Sequence, residues 1–171
     1  MTTNQEQAAL QEQIETHPFL RGMRPEHLAL LTDCAMAASF APNELVFRQG
    51  EFANRFYLIE SGEVVLEALD SQGQRMVIER AGPGKLVGWS WLFPPYIWHF
   101  DARATQPTGG IFFYGTILRE YCERDPSLGY ELLKRMSVIM VERLQNARAQ
   151  LLAGYSTRTR LIRRRASALE R

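Results

Sequence analysis

At 171 residues, with 46% hydrophobic and 23% charged residues, the chain is long enough to bury one sound core and is neither disordered nor fibrous. Two cysteines make no disulfide framework, which points to a reducing, cytoplasmic setting. The net charge of +1 conceals a mildly acidic body, 18 acidic against 14 basic residues in 1–155, which offers no nucleic-acid footprint, followed by a basic segment, 156–171, with six arginines and one glutamate.

The N-terminus is polar, with no charged region ahead of an apolar core, so no signal peptide is expected. Residues 3–15 read as a short, weakly amphipathic helix that His17-Pro18 ends. Pro25 opens a second helix at its first position, with Leu28, Leu31 and Ala35 on one face and Cys34 packed as a small apolar group. From Ala41 glycines recur at 50, 62, 73, 82 and 84. Between them lie four β-rich runs, 44–48, 55–60, 63–69 and 74–80. Short strands at this spacing predict an all-β sandwich or barrel. In the third run Val64, Leu66 and Ala68 share one face, and DSQGQ (70–74) reads as a hairpin turn.

The stretch from Gly84 to Thr105 holds all three tryptophans, Trp89, Trp91 and Trp98, with Phe93, Pro94-Pro95 and Tyr96. It is too short and too broken by proline to be a helix or a membrane span. Two more strands fit at 100–105 and 110–114. Thr116 is a candidate N-cap. Asp125-Pro126 starts a long helix, running to about Leu152, with Gly154 as a stop. Its apolar stripe is Leu128, Leu132, Met136, Met140, Leu144, Ala147 and Leu151, widened by Leu133, Val138 and Val141. A helix of ~25 residues spans roughly 38 Å. Part of its apolar face is therefore expected to meet another chain, with Leu132, Met136, Met140 and Leu144 as the residues of a homodimer helix.

Helical entry, a glycine-punctuated β region and a long C-terminal helix resemble the cyclic-nucleotide-binding domains of catabolite-activator-type regulators and protein kinase regulatory subunits. The residues that carry this are LVFRQGE (45–51), RFYLIESGEV (55–64), GKLVG (84–88) and the spacing from Phe113 to Pro126. The resemblance implies an α+β, mainly β fold: a double-stranded β-helix (jelly roll) flanked by N-terminal helices and a long C-terminal helix. It divides the chain into an N-terminal helix (1–17), the domain with its dimerisation helix (18–152) and a basic tail (153–171).

In that family a glutamate follows the cassette glycine and holds the ribose. An arginine some ten residues on pairs with the cyclic phosphate. Here Gly88-Trp89-Ser90-Trp91-Leu92 puts Trp89 at the glutamate position and Trp91 where a small residue belongs. Counting back from Phe113 puts Trp98 at the arginine position, with His99 beside it. Arg103, in ARAT (102–105), is a second arginine that a longer loop would bring to the phosphate; on spacing alone it pairs with Asp101 on the outer strand face. The candidate pocket is thus Gly88, Trp89, Ser90, Trp91, Leu92, Trp98, His99 and Arg103. Three readings stand: a pocket filled by its own indoles, a pocket for another small aromatic or apolar ligand in place of a cyclic nucleotide, and an aromatic patch for a partner.

No enzyme is expected. His17, His27 and His99 are scattered and form no metal-binding cluster, and Ser90 lies in no nucleophile elbow. After Leu152 too little chain follows for a helix-turn-helix, so sequence-specific DNA binding is not expected; the Arg-rich tail can touch acidic surfaces. The overall expectation is a regulatory or sensor module acting through its C-terminal helix on a dimer mate or partner, without usual cyclic-nucleotide binding, or else a ligand-free structural module.

Overall fold

The computed structural model describes the backbone of residues 4–169 and the side chains of residues 5–154. It falls into two compact units, Met1–Glu131 and Leu132–Arg171. The first contains two antiparallel four-stranded sheets that make up the jelly roll.

Helix α1 (Asn4–Thr16) buries Leu10 and Ile14, four residues apart, on one side. Helix α2 (Pro25–Asp33) starts with its proline at the first position, as expected, and buries His27 and Leu31. Ala35 does not lie on that helix face. It opens strand β1 (Ala35–Phe40), which the sequence reading missed. AMAASF is short and its burial alternates weakly, because β1 is an edge strand. Only its pairing with β8 (Thr108–Tyr114), Ala35 opposite Phe113 through Phe40 opposite Thr108, defines it.

The four predicted runs are strands β2 (Leu45–Phe47), β3 (Arg55–Ser61), β4 (Val64–Leu69) and β5 (Arg75–Ala81). A two-residue strand, β6 (Leu86–Val87), follows, and β7 (Asp101–Ala104) leads to β8. The sheets run β1-β8-β3-β6 and β2-β7-β4-β5. The 70–74 turn is a hairpin in which Asp70 Oδ1 accepts from the backbone N–H of Gln72 and Gln74, each at 2.8 Å, while Gly73 takes φ +76°.

Val64 and Leu66 of β4 and Tyr57 and Ile59 of β3, each pair two residues apart, join Val87 and Ala102 in one buried cluster inside the roll; the adjacent Val46 and Phe47 of β2 both belong to it, where the register shifts between Leu45 and Phe47. Phe56, one residue out of step with Tyr57, belongs to the other face of β3 and stacks on Phe113 at 4.5 Å. That face is covered by α3 (Gly115–Arg124), whose Leu118 is fully buried. The helix starts at Gly115 with Tyr114 at the cap, not at Thr116, because the Gly115 N–H bonds the Asn54 carbonyl at 2.8 Å and turns the chain there.

Helix α4 (Pro126–Leu169) starts where Asp125-Pro126 predicted. Asp125 Oδ1 accepts from the Ser127 N–H at 3.0 Å, and Asp125 Oδ2 lies 3.1 Å from His27 Nε2, tying α2 to the start of α4. The backbone stays helical through Gly154 to Leu169, so Gly154 is not a stop. One interior glycine costs a helix only about 1 kcal/mol. The side chains of the Arg-rich tail lie outside the described residues. Along α4, Leu132 and Met136 are buried, Met140 is half-buried and Leu144 is exposed. No helix among the described residues is long and apolar enough to cross a membrane.

Candidate functional site

The segment between β6 and β7 carries the aromatic residues. It leaves β6 through Gly88, makes one 3-10 turn at Ser90–Leu92, and passes the cis Pro94-Pro95 pair before reaching Trp98. The loop after β2 anchors its second half. Trp98 N–H donates to the Glu51 carbonyl at 2.9 Å, Gly50 N–H donates to the Trp98 carbonyl at 2.8 Å, and Ala53 N–H donates to the Tyr96 carbonyl at 2.7 Å.

This pinning aims the Trp98 indole into the roll. It is 2% exposed and stacks on Phe47 with ring centroids 3.9 Å apart and planes at 14°. It belongs to the same buried cluster as Tyr57, Ile59, Val64, Leu66 and Ala102. Its Nε1–H has no hydrogen-bond partner among the described residues. Gly88 makes room for it. Gly88 sits at φ +91°, and a Cβ there would lie 2.9 Å from the Trp98 ring. The glycine is thus required twice, for its backbone conformation and for the approach of the indole.

Trp91 is fully buried, but on the other side of β3. It stacks on Phe56 at 5.3 Å and 16°, which in turn stacks on Phe113. A Cβ on Gly115 would meet Trp91 at 2.9 Å, so the start of α3 lies against this indole. Arg119 of α3 donates from Nη1 to the Trp91 carbonyl and places its guanidinium 4.3 Å from the Tyr96 ring centroid. Trp91 Nε1 also lacks a partner among the described residues.

The candidate residues therefore do not form one pocket. Trp98 and Gly88 belong to the roll interior, and Trp91 to the layer beneath α3. Ser90 is buried, Trp89 and Leu92 are half-buried, and His99 is exposed. Arg103 is not paired with Asp101. On β7 Ala102 and Ala104 are buried and Arg103 is on the opposite, outer face, across from Val65. There it reaches Glu67 Oε2 of β4 at 3.3 Å and donates from Nη1 to the Asn43 carbonyl at 2.7 Å. Asp101 instead accepts from the Gln49 N–H at 2.8 Å. Same-strand neighbours two residues apart lose to a cross-strand diagonal partner.

Four residues that organise the site were not singled out from the sequence: Phe47, Phe56, Gly115 and Arg119. The Phe56-Tyr57 pair in an alternating strand was the available signal, since adjacent rings there must serve two layers. A second arginine also matters near the roll. Arg55 donates to the Val46 carbonyl at 3.4 Å and to Asn54 Oδ1 at 3.3 Å. Burial pushes the neighbouring Tyr57 hydroxyl above its ordinary pKa, with the Arg55 charge opposing. Among the described residues no group of three His, Cys, Asp or Glu side chains is placed to hold a metal.

Comparison with known proteins matches residues 37–125 to the family described as cyclic nucleotide-binding domain. The chain is 25% identical over 116 residues to a CRP-like cAMP-activated global transcriptional regulator of Mycobacterium tuberculosis, covering 68% of this chain and 52% of that protein. The chain thus spans about half the length of the curated relatives it matches. A candidate cyclic nucleotide-binding protein from Geobacter metallireducens has a similar crystal structure, with TM-score 0.70 and 26% identity over 78% of this chain and 96% of that one. A mutant regulatory subunit of a cAMP-independent protein kinase A from Trypanosoma brucei, bound to cAMP in its A site, shares the fold. Its TM-score is 0.65 at 23% identity, over 78% of this chain and 47% of that one.

Proposed function

Because the chain belongs to the cyclic nucleotide-binding domain family, we propose that it is a regulatory module of that fold whose nucleotide position is filled by its own tryptophan and whose output element is α4. One observation carries this reading. Trp98, at the position where the resemblance puts the phosphate-pairing arginine, is 2% exposed and stacked on Phe47 inside the roll.

The donor set does not fit a cyclic nucleotide held in the usual way. A cyclic phosphate needs a cation, and charge-assisted hydrogen bonds supply roughly 1.5–3 kcal/mol each. An indole brings one N–H and no charge. Trp89 in place of the ribose-binding glutamate brings no acceptor. Losing both anchors costs about two to four decades of affinity. Arg103 does not compensate, because it lies on the outer sheet face with Glu67 and Asn43. Of the readings open from the sequence, the filled pocket is the one that the burial of Trp98 favours. The module then acts as an interaction domain, with α4 meeting a second chain.

Calorimetric titration with cAMP and with cGMP tests this. No binding heat up to millimolar nucleotide is expected. A micromolar Kd for either nucleotide would overturn the closed-roll reading.

A further inference from the structure

We infer that the exposed stripe of α4 pairs with an acidic helix of a different protein and not with a second copy of this chain; the inference rests on the reading of α4 as the output element. Residues 133, 137, 140, 144, 147 and 151 alternate four and three apart, the spacing of a two-stranded coiled-coil seam. Leu133 is exposed, and Leu144 and Leu151 are exposed at 70% and 65%. Met140 is half-buried and Ser137 and Ala147 are the small members of the seam, so the exposed leucines are what calls for a cover.

The charges beside the seam choose the cover. With Leu133 at heptad position d, the e positions are Lys134, Val141 and Arg148, and the g positions are Met136, Arg143 and Gln150. Every charge flanking the seam is positive. Glu142, the one acid between 132 and 154, falls at f, away from it. In a parallel pair of identical helices Arg143 of one faces Arg148 of the other. In an antiparallel pair e meets e and g meets g, which again sets cations together. Flanking charges of one sign disfavour self-pairing and favour a partner of the opposite sign. The wider charge distribution agrees. Residues 132–171 carry ten basic and two acidic residues, a net of +8, against ten basic and seventeen acidic in 1–131.

The shape of the stripe favours a helix over a lipid surface or a nucleic acid. Arg148 lies between Leu144 and Leu151, four residues from one and three from the other. On a lipid layer that covers both leucines, that guanidinium would have to snorkel to the headgroups from within the apolar stripe. At position e of a coiled coil its head stays at the rim while its stem adds to the seam. A nucleic acid would satisfy the cations and leave the leucines in water. The fitting partner is a helix with apolar a and d positions and glutamate or aspartate at e and g.

The full chain is the reagent for the test, with two synthetic four-heptad peptides as probes. Both carry leucine at the seam; one has glutamate and the other lysine at every e and g position. The glutamate peptide is expected to bind, roughly tenfold or more weakly when salt rises from about 50 to about 500 mM. The lysine peptide is expected not to bind. Arg143→Glu should weaken the glutamate peptide and, by setting a carboxylate opposite the second copy's Arg148, create a dimer that analytical ultracentrifugation detects. Three results would overturn the inference: a wild-type dimer at micromolar concentration that Leu144→Asp abolishes, no binding of the glutamate peptide, or Leu144-dependent capture by phosphatidylserine vesicles in place of the peptide. Nucleotide titration reports on the roll and not on α4, so the two proposals fail separately.

Discussion

Replacing Trp98 by alanine is expected to destabilise the domain by about 3–5 kcal/mol, the range for deleting a fully buried large aromatic. The structure allows the figure to be built up. With 2% exposure, the indole keeps nearly all of its surface from water. A buried ring of roughly 200 Å² at ~25 cal/mol per Å² contributes about 5 kcal/mol. Stacking on Phe47 at 3.9 Å adds about 1 kcal/mol. Against this, the unpaired Nε1–H costs roughly 1–3 kcal/mol while it is buried, and the mutation relieves that cost. Alanine retains the β-carbon, so the balance falls within the stated range. Urea unfolding followed by far-ultraviolet circular dichroism measures it without depending on the fluorophore removed. At m values of about 1–3 kcal/mol per M, the midpoint should fall by roughly 1–5 M. Trp98→Phe, which keeps a ring against Phe47, should cost less than half as much. If Trp98→Ala left stability within about 0.5 kcal/mol of wild type, the indole would not be core and the closed-roll reading would lose its support.

Gly88→Ala should destabilise by about 2 kcal/mol or more, since it combines a left-handed φ with a methyl 2.9 Å from the Trp98 ring. The cost should shrink in a Trp98→Ala background, and a double-mutant cycle reads that coupling. His17 is expected to make the fold acid-sensitive. It is buried, its Nδ1 accepts from the Phe19 N–H at 3.2 Å, and burial holds its pKa below 6.5, partly offset by the Ile59 backbone. Its contribution is therefore complete above pH 6.5 and is lost as pH falls through the lowered folded-state pKa, because the unfolded chain takes the proton first. Glu60, raised by burial, titrates in the opposing sense, so the comparison is between wild type and His17→Gln, whose profile should be flatter from pH 7 to 5.5. Burial, then the Asp33 charge, pushes the Cys34 thiol up to about 12, and burial, then Asp125 and Glu123, pushes Cys122 up to about 11. Neither should react readily with Ellman's reagent at pH 8 in the native state, and both should react in denaturant; prompt native labelling of Cys34 would contradict its burial.

The roll was legible in the sequence where β-rich runs stand between turn residues. Val64-Val65-Leu66 and the Asp70–Gln74 turn announce themselves through β-branched composition and turn chemistry, although β4 buries all three of those residues in succession. β1 and β6 do not. AMAASF alternates weakly because it is an edge strand, and Leu86-Val87 is too short to show a period. The site was half legible. Trp98 at the arginine position follows from counting, and the structure places its ring in the core. That Trp91 belongs to a different layer could not follow from counting, because it depends on which face of β3 each ring meets. Phe56 and Tyr57 settle that only once β3 is seen between the roll interior and α3. Arg103 was misassigned because spacing along one strand shows nothing of Glu67 on the next.

The division of the two indoles bears on whether this segment moves. A nucleotide-operated switch requires its binding segment to change position at a cost the ligand can meet. Driving a two-state equilibrium from 1:99 to 99:1 takes about 5.5 kcal/mol of differential affinity. Here the segment is fastened on both sides of β3, by Trp98 against Phe47 within the roll and by Trp91 against Phe56 beneath α3. Arg119 adds a third fastening, from α3 to the Trp91 carbonyl and the Tyr96 ring. Withdrawing either indole alone costs about 3–5 kcal/mol and withdrawing both about 6–10 kcal/mol, more than a ligand with about 5.5 kcal/mol of differential affinity supplies. The segment therefore acts as a strut that holds the start of α3 against the roll, and in the function proposed above it is α4, not this segment, that meets the partner.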